Sequence, residues 1–132
     1  MKILLAYDGG APALRALTLT SQLALRFDAD VSVESVIPVH PGRVPVDPWD
    51  DASIHRVQLA EAKRLLFERG IQPVLIEQAG DPAGSIERIA EEGGFDMVVV
   101  GSRGLGPVAR ALQGSVSTHV ATHAASTVVI AR

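Results

Sequence analysis

A chain of 132 residues has room for one ordinary domain, and 47% hydrophobic against 20% charged residues give it the aliphatic mass for a core. That balance excludes a disordered chain, and a net charge of −3 is the wrong sign for a domain built to sit on nucleic acid. The absence of cysteine removes disulfides, thiolate chemistry, zinc ribbons and iron–sulfur ligation together.

Ile3-Leu4-Leu5-Ala6-Tyr7 is a continuous apolar run closed by Asp8-Gly9-Gly10, a buried strand and a tight turn. The run is too short for a signal peptide. Residues 11–27 are rich in Leu and Ala and read as a helix, with Pro12 tolerated in its first turn. Asp28-Ala29-Asp30 turns the chain into a second strand, Val31 to Ile37, which alternates and is β-branched. Residues 38–50 hold four prolines, Gly42 and Trp49 and read as a long loop. From Ala52 to Arg69, Leu59, Ala62 and Leu66 recur at helical spacing; Glu61, Lys63, Arg64 and Glu68 fill the outer side and Gly70 ends the helix.

Pro73 to Glu77 reads as a third strand, and its proline suggests a sheet edge. Asp81-Pro82 is an N-cap followed by proline at the first helical position; Ala83, Ile86 and Ala90 form the buried stripe and Gly93-Gly94 the stop. Met97 to Val100 is the most apolar run and reads as a central strand buried on both faces. A Gly-rich loop, 101–113, leads to a helix from Gly114 to about His123, and Thr127 to Ile130 is the last strand. Five strands alternating with four helices imply one α/β domain over residues 1–132, a parallel sheet with helices on both faces. The uncharged stretch 111–131 contains Gly, Gln, two His and several Ser and Thr, which is not a membrane span. A cysteine-free, uncrosslinked chain of this kind is expected in the cytoplasm.

In such sheets ligands sit beyond the carboxyl ends of the strands, where strand order reverses. Two strand ends carry unusual residues: Asp8-Gly9-Gly10, and Gly101-Ser102-Arg103-Gly104-Leu105-Gly106. A carboxylate there can accept from ribose hydroxyls or a water on a metal, and glycine lets backbone approach a phosphate. Gly114-Ser115-Val116-Ser117 opens the last helix, where free amides and the helix dipole favour an anion. All fifteen acids lie at or before Asp96, against nine Lys or Arg there, a balance of −6; the last 36 residues carry Arg103, Arg110 and Arg132 and no acid. An acid-free, Gly- and Ser-rich end suits an anion; chance clustering around a buried strand gives the same count.

The spacing Gly101-x2-Gly104-x9-Gly114-Ser115 resembles the signature of the ATP-binding members of the universal stress protein family. Ile3 to Gly9, Gly80-Asp81-Pro82, Asp96 to Gly104 and Gly114 to Ser117 are similar to that family's motifs, in order along essentially the whole chain. The resemblance implies a flavodoxin-like (adenine nucleotide alpha hydrolase-like) three-layer domain, strand order 3-2-1-4-5, with ATP, and Mg²⁺ beside it, between the ends of the first and fourth strands. It places Asp8 on the ribose or Mg²⁺, and Ala6 and the Val36 backbone at the adenine. Val100, Gly101 and Gly104 would run along ribose and phosphates, with Gly114, Ser115 and Val116 on the β- and γ-phosphates; Ser117 adds a hydroxyl donor. It also implies a homodimer joined through the last strand, which is short, apolar and edge-like. Two departures stand out: Gly10 occupies the place of a capping hydroxyl after Asp8-Gly9, and no proline precedes the last strand.

Other motifs read differently. Gly104-x-Gly106-x-x-Ala109 mimics a dinucleotide fingerprint, but no acid follows for the ribose and Pro107 spoils the helix start. A P-loop is excluded, since the only lysines are Lys2 and Lys63. Arg103 either gives a charge to the phosphates or is a solvated loop residue. His119 and His123, four apart, share a helix face; with no acid near them in sequence they read as surface or interface residues rather than a metal clip. His40 and His55 receive no role. Asp47, Asp50 and Asp51 read as a solvated loop capping the next helix, with a lid over adenine as the functional alternative.

Three functions follow in order: a nucleotide-dependent regulatory or stress-response protein; a slow ATPase or self-phosphorylating enzyme with Ser102, Ser115 or Ser117 as acceptor and His119 as base; and an interaction module indifferent to nucleotide. The intact glycine spacing favours the first.

Overall fold

The computed structural model of the chain describes residues 1–39, 52–102 and 115–132, with Ser115 described by its backbone alone. The elements are β1 (Lys2–Ala6), α1 (Ala11–Phe27), β2 (Asp30–Pro38), α2 (Ala52–Glu68), β3 (Val74–Gly80), α3 (Pro82–Glu92), β4 (Met97–Gly101), α4 (Ser115–His123) and β5 (Thr127–Ala131). All strands are parallel, as the alternation of elements predicts, and lie in the order β3-β2-β1-β4-β5, as the family resemblance implies. The 38–50 loop falls almost entirely outside the described residues, as do Arg103 to Gly114.

Strand order and the right-handed crossover rule together assign the helices to faces. The chain steps one way through β1, β2 and β3, and then the other way through β4 and β5. The first two crossovers therefore cover one face and the last two the opposite face. The packing agrees. Ala16, Leu17, Leu59 and Leu66 of α1 and α2 bury Ile3, Leu5, Val33 and Val99. Ile86 and Ala90 of α3, with Val120 of α4, bury Leu4, Val98 and Val100 on the other side.

The expected central strand is central: Val98, Val99 and Val100 are all buried between β1 and β5. β3 is the expected edge, but it starts after Pro73 and runs on to Gly80, because the long β2 continues to offer partners as far as Ile37 and Pro38. Asp81 caps α3 as expected, accepting a hydrogen bond from the Gly84 amide at 2.8 Å. Helix α1 has no side-chain cap at Gly10; instead Asp8 Oδ1 accepts from the Gly10 amide at 3.0 Å and folds the strand end into the helix start.

One close approach ties the two halves together. A Cβ on Gly101 would lie 2.4 Å from the Pro12 carbonyl oxygen and 2.9 Å from the Ala13 nitrogen, both backbone atoms. Only glycine lets the first turn of α1 sit against the end of β4. Gly101→Ala is expected to cost about 1–3 kcal/mol as an overpacking change. Urea denaturation should show a lowered midpoint with an unchanged slope; an unshifted midpoint would mean that the approach is not tight.

Candidate functional site

At the point where strand order reverses, the carboxyl ends of β1 and β4 open into a cleft of about 510 Å³. Its floor comes from Ala6, Tyr7, Val36, Val100 and Gly101, and its walls from the first turns of α1, α3 and α4. Asp8 stands exposed at the mouth. The α2 side contributes His55 and Gln58, and α3 contributes Pro82 and Ile86. Val116 and the buried Ser117 reach the cleft from the start of α4, whose first-turn amides have no intrahelical acceptor.

The cleft is therefore where the sequence-predicted residues meet. Ala6, Asp8, Val36, Val100, Gly101, Val116 and Ser117 all line it. Ser115 begins α4 beside them, while Arg103, Gly104 and Gly114 lie outside the described residues, as do Asp47, Asp50 and Asp51. His119 is not in the cleft lining; its Nδ1 lies 2.6 Å from Glu87 Oε1 on α3. That takes away its expected position as a base near the phosphates. It also corrects the reading that no acid accompanies the histidine pair, because the acid arrives from another helix.

Four polar cleft residues were given no role in the sequence analysis: Tyr7, Glu34, His55 and Gln58. Glu34 is 1% exposed in the middle of β2. Its Oε1 accepts from the Ser85 hydroxyl at 2.7 Å, and its Oε2 is buried with no partner among the described residues. Burial pushes the carboxyl above its ordinary value, against the lowering pull of the Ser85 hydrogen bond and the Arg88 charge. Tyr7 likewise has a buried hydroxyl without a partner among the described residues. Burial, reinforced by Glu61 and Asp8, pushes its phenol up to about 12. Gln58 Oε1 is a third such atom. Gln58 also packs over the β1–α1 turn, where a Cβ on Gly9 (φ +80°) would lie 2.9 Å from its Cγ. His55 Nδ1 and the buried Ser35 hydroxyl are 2.6 Å apart, which locks the start of α2 to β2.

The signals for two of these were present. His55 precedes Leu59, Ala62 and Leu66 by one helical turn and continues their stripe. Glu34 is an acid flanked by strand residues in a sheet that both faces cover.

The universal stress protein family model matches residues 1–132. The chain belongs to that family. A universal stress protein of Bacillus subtilis, YxiE, is 30% identical over 99% of this chain and 98% of its own length. Among solved structures, a universal stress protein in complex with cAMP superposes with a TM-score of 0.80 at 22% identity, over 100% of this chain and 97% of its own. The Archaeoglobus fulgidus universal stress protein in complex with dAMP gives 0.77 at 21%, over 100% and 98%. These likenesses confirm the family's fold for this chain.

The Glu34 carboxyl supplies a pH test. Its folded-state value lies above the unfolded one, so the native state holds the proton more tightly. Its stabilising effect is complete below about 4.5, the ordinary carboxyl value, and is lost as pH rises through the raised folded value. Glu34→Gln keeps the volume and a carbonyl acceptor for Ser85 but removes the charge. Urea titrations should show the variant gaining on the parent between pH 4.5 and pH 7; a constant difference would contradict the raised value.

Proposed function

We propose that the cleft binds an adenine nucleotide, ATP with Mg²⁺, and that occupancy rather than turnover is its output in a stress-response regulatory role. One observation carries this reading. Three buried polar atoms without partners among the described residues, Tyr7 Oη, Glu34 Oε2 and Gln58 Oε1, belong to residues that line one cleft. Buried orphans of this kind cost about 1–3 kcal/mol each and call for a polar ligand or water. Solved relatives carrying cAMP and dAMP support adenine as the base.

In this reading Ala6, Val36 and Ile86 give the base an apolar bed, and Asp8 takes the ribose hydroxyls or a water on Mg²⁺. Val100, Gly101 and Gly104 run along ribose and phosphates. The amides at Gly114, Ser115 and Val116, with the Ser117 hydroxyl, receive the β- and γ-phosphates at the positive end of α4. Arg103 adds a charge. The outer edge of β5 has no strand beside it among the described residues, and Ile130 is 37% exposed. That edge supports a homodimer paired through β5. No described helix is long and apolar enough to cross a membrane. A cytoplasmic location goes with this reading on the cysteine-free composition.

Calorimetric titration with ATP and Mg²⁺ should give one site per chain, with a dissociation constant of about a millimolar or tighter. Val36→Trp fills the apolar end and should weaken binding at least about tenfold while leaving thermal stability without nucleotide nearly unchanged. No heat and no thermal shift at millimolar ATP would remove the reading. AMP or cAMP binding more tightly than ATP would keep the adenine site and displace the triphosphate. Sedimentation should separately report a dimer; a monomer at all concentrations would overturn the β5 pairing alone.

A further inference from the structure

We propose that Glu87, His119 and His123 form a site for one zinc-class divalent ion on the α3–α4 pair, separate from the nucleotide cleft. None of the three lines the cleft. One ligand atom from each lies within 4.8 Å of the others, with Glu87 half-buried and both histidines exposed. The two rings stack with centroids 4.1 Å apart and planes 23° from parallel, as residues one helical turn apart on a single face can.

The hydrogen bonds select the tautomer that a metal needs. His123 Nδ1 lies 2.9 Å from the His119 carbonyl oxygen, which can only accept. His119 Nδ1 lies 2.6 Å from the Glu87 carboxylate. Each Nδ1 therefore carries the proton, and in the neutral ring each Nε2 keeps its lone pair. An imidazole whose other nitrogen donates to a carboxylate or a backbone carbonyl is the usual arrangement of a metal-binding histidine. Glu87 serves in one of two ways: as the third ligand through a carboxylate oxygen, or as the group that orients His119.

Zinc bonds of about 2.0–2.1 Å in tetrahedral geometry put ligand atoms roughly 3.3 Å apart. Rotation of exposed side chains on two helices held by a common core closes the remaining gap without moving backbone. Two imidazole nitrogens and one carboxylate suit Zn²⁺, Ni²⁺ or Cu²⁺, and they suit Mg²⁺ poorly, since it takes oxygen ligands and keeps its waters. At most three of the four positions come from protein, so at least one stays open to water or an outside ligand.

The experiment is a titration of the purified, metal-stripped protein with Zn²⁺ against a colorimetric chelator, without nucleotide. One ion per chain with micromolar affinity is expected, unaffected by millimolar Mg²⁺. His119→Ala and His123→Ala should each weaken it at least about tenfold, since losing a ligand costs no less than losing an outer-shell partner. Both side chains are exposed, and circular dichroism checks that the variants fold. A measurement on the unaltered chain stands beside this. One equivalent of Zn²⁺ should shift the ring signals of His119 and His123 in NMR spectra and leave those of the buried His55 in place. Binding weaker than about 100 µM, binding that survives both substitutions, or unmoved ring signals would each overturn the site. None of these readouts depends on whether the cleft takes ATP.

Discussion

The parallel pairing of β1 with β4 is the constraint on which the rest of the molecule depends. Its register sets Ile3 beside Met97, Leu4 beside Val98 and Leu5 beside Val99. Two and three residues beyond the last pair, the chain reaches Gly101 on one strand and Asp8 on the other. Both therefore arrive at the same end of the sheet. There β1 feeds α1 on one face and β4 leads towards α4 on the other, so the connections part and leave a crevice between them. Burial of Leu4, Leu5, Val98 and Val99, each 0% exposed, holds this register, because a slip of one residue would turn every one of those side chains to the opposite layer.

The crevice is stabilised by packing around it and strained by polarity within it. Tyr7, Glu34 and Gln58 each hold a buried atom without a partner, and all three border the cleft. Among the described residues one other such atom is found, Thr20 Oγ1, on the buried side of α1. Thr20 has a simple place in a helix–sheet interface. The three cleft atoms do not, because apolar residues of similar size at those positions would give a more stable domain. Retaining polar groups there has a purpose if something polar enters, and the same atoms that weaken the empty fold would then strengthen the occupied one.

Legibility followed the physics of each signal. Element order, the Asp8 turn, Gly101 and the Ser117 helix start were readable, because apolar runs, caps and glycines act locally; strand order and the places of Ala6, Val36, Val100 and Val116 came from the family resemblance. Glu34 was legible only through the expectation of a sheet covered on both faces, because the alternation of β2 by itself looks the same whether its polar face meets water or a second helical layer. Here α3 covers that face, and the acid that alternation would leave in solvent is buried against Ser85. His55 continued a stripe that had been counted only from Leu59. Glu87 beside His119 was beyond reach, since the two residues are 32 positions apart and meet only because α3 and α4 pack side by side on one face.

That side-by-side packing links the two sites through shared backbone. Helix α3 borders the cleft at Pro82 and Ile86, and its next residue, Glu87, holds His119. Helix α4 borders the cleft at Val116 and Ser117, and His119 follows two positions later. An ion bridging Glu87 to the histidines restrains the separation of the two helices about one turn from where their first turns meet the cleft. A ligand lodged between those first turns also prefers one separation. Where the two preferences differ, each occupant weakens the other; where they agree, each strengthens the other. Linkage requires that factor to be equal in both directions. Rigidity in the sheet beneath, not contact between the two ligands, is what would carry it: Leu4, Val98 and Val100 are buried in the one apolar cluster that both helices share.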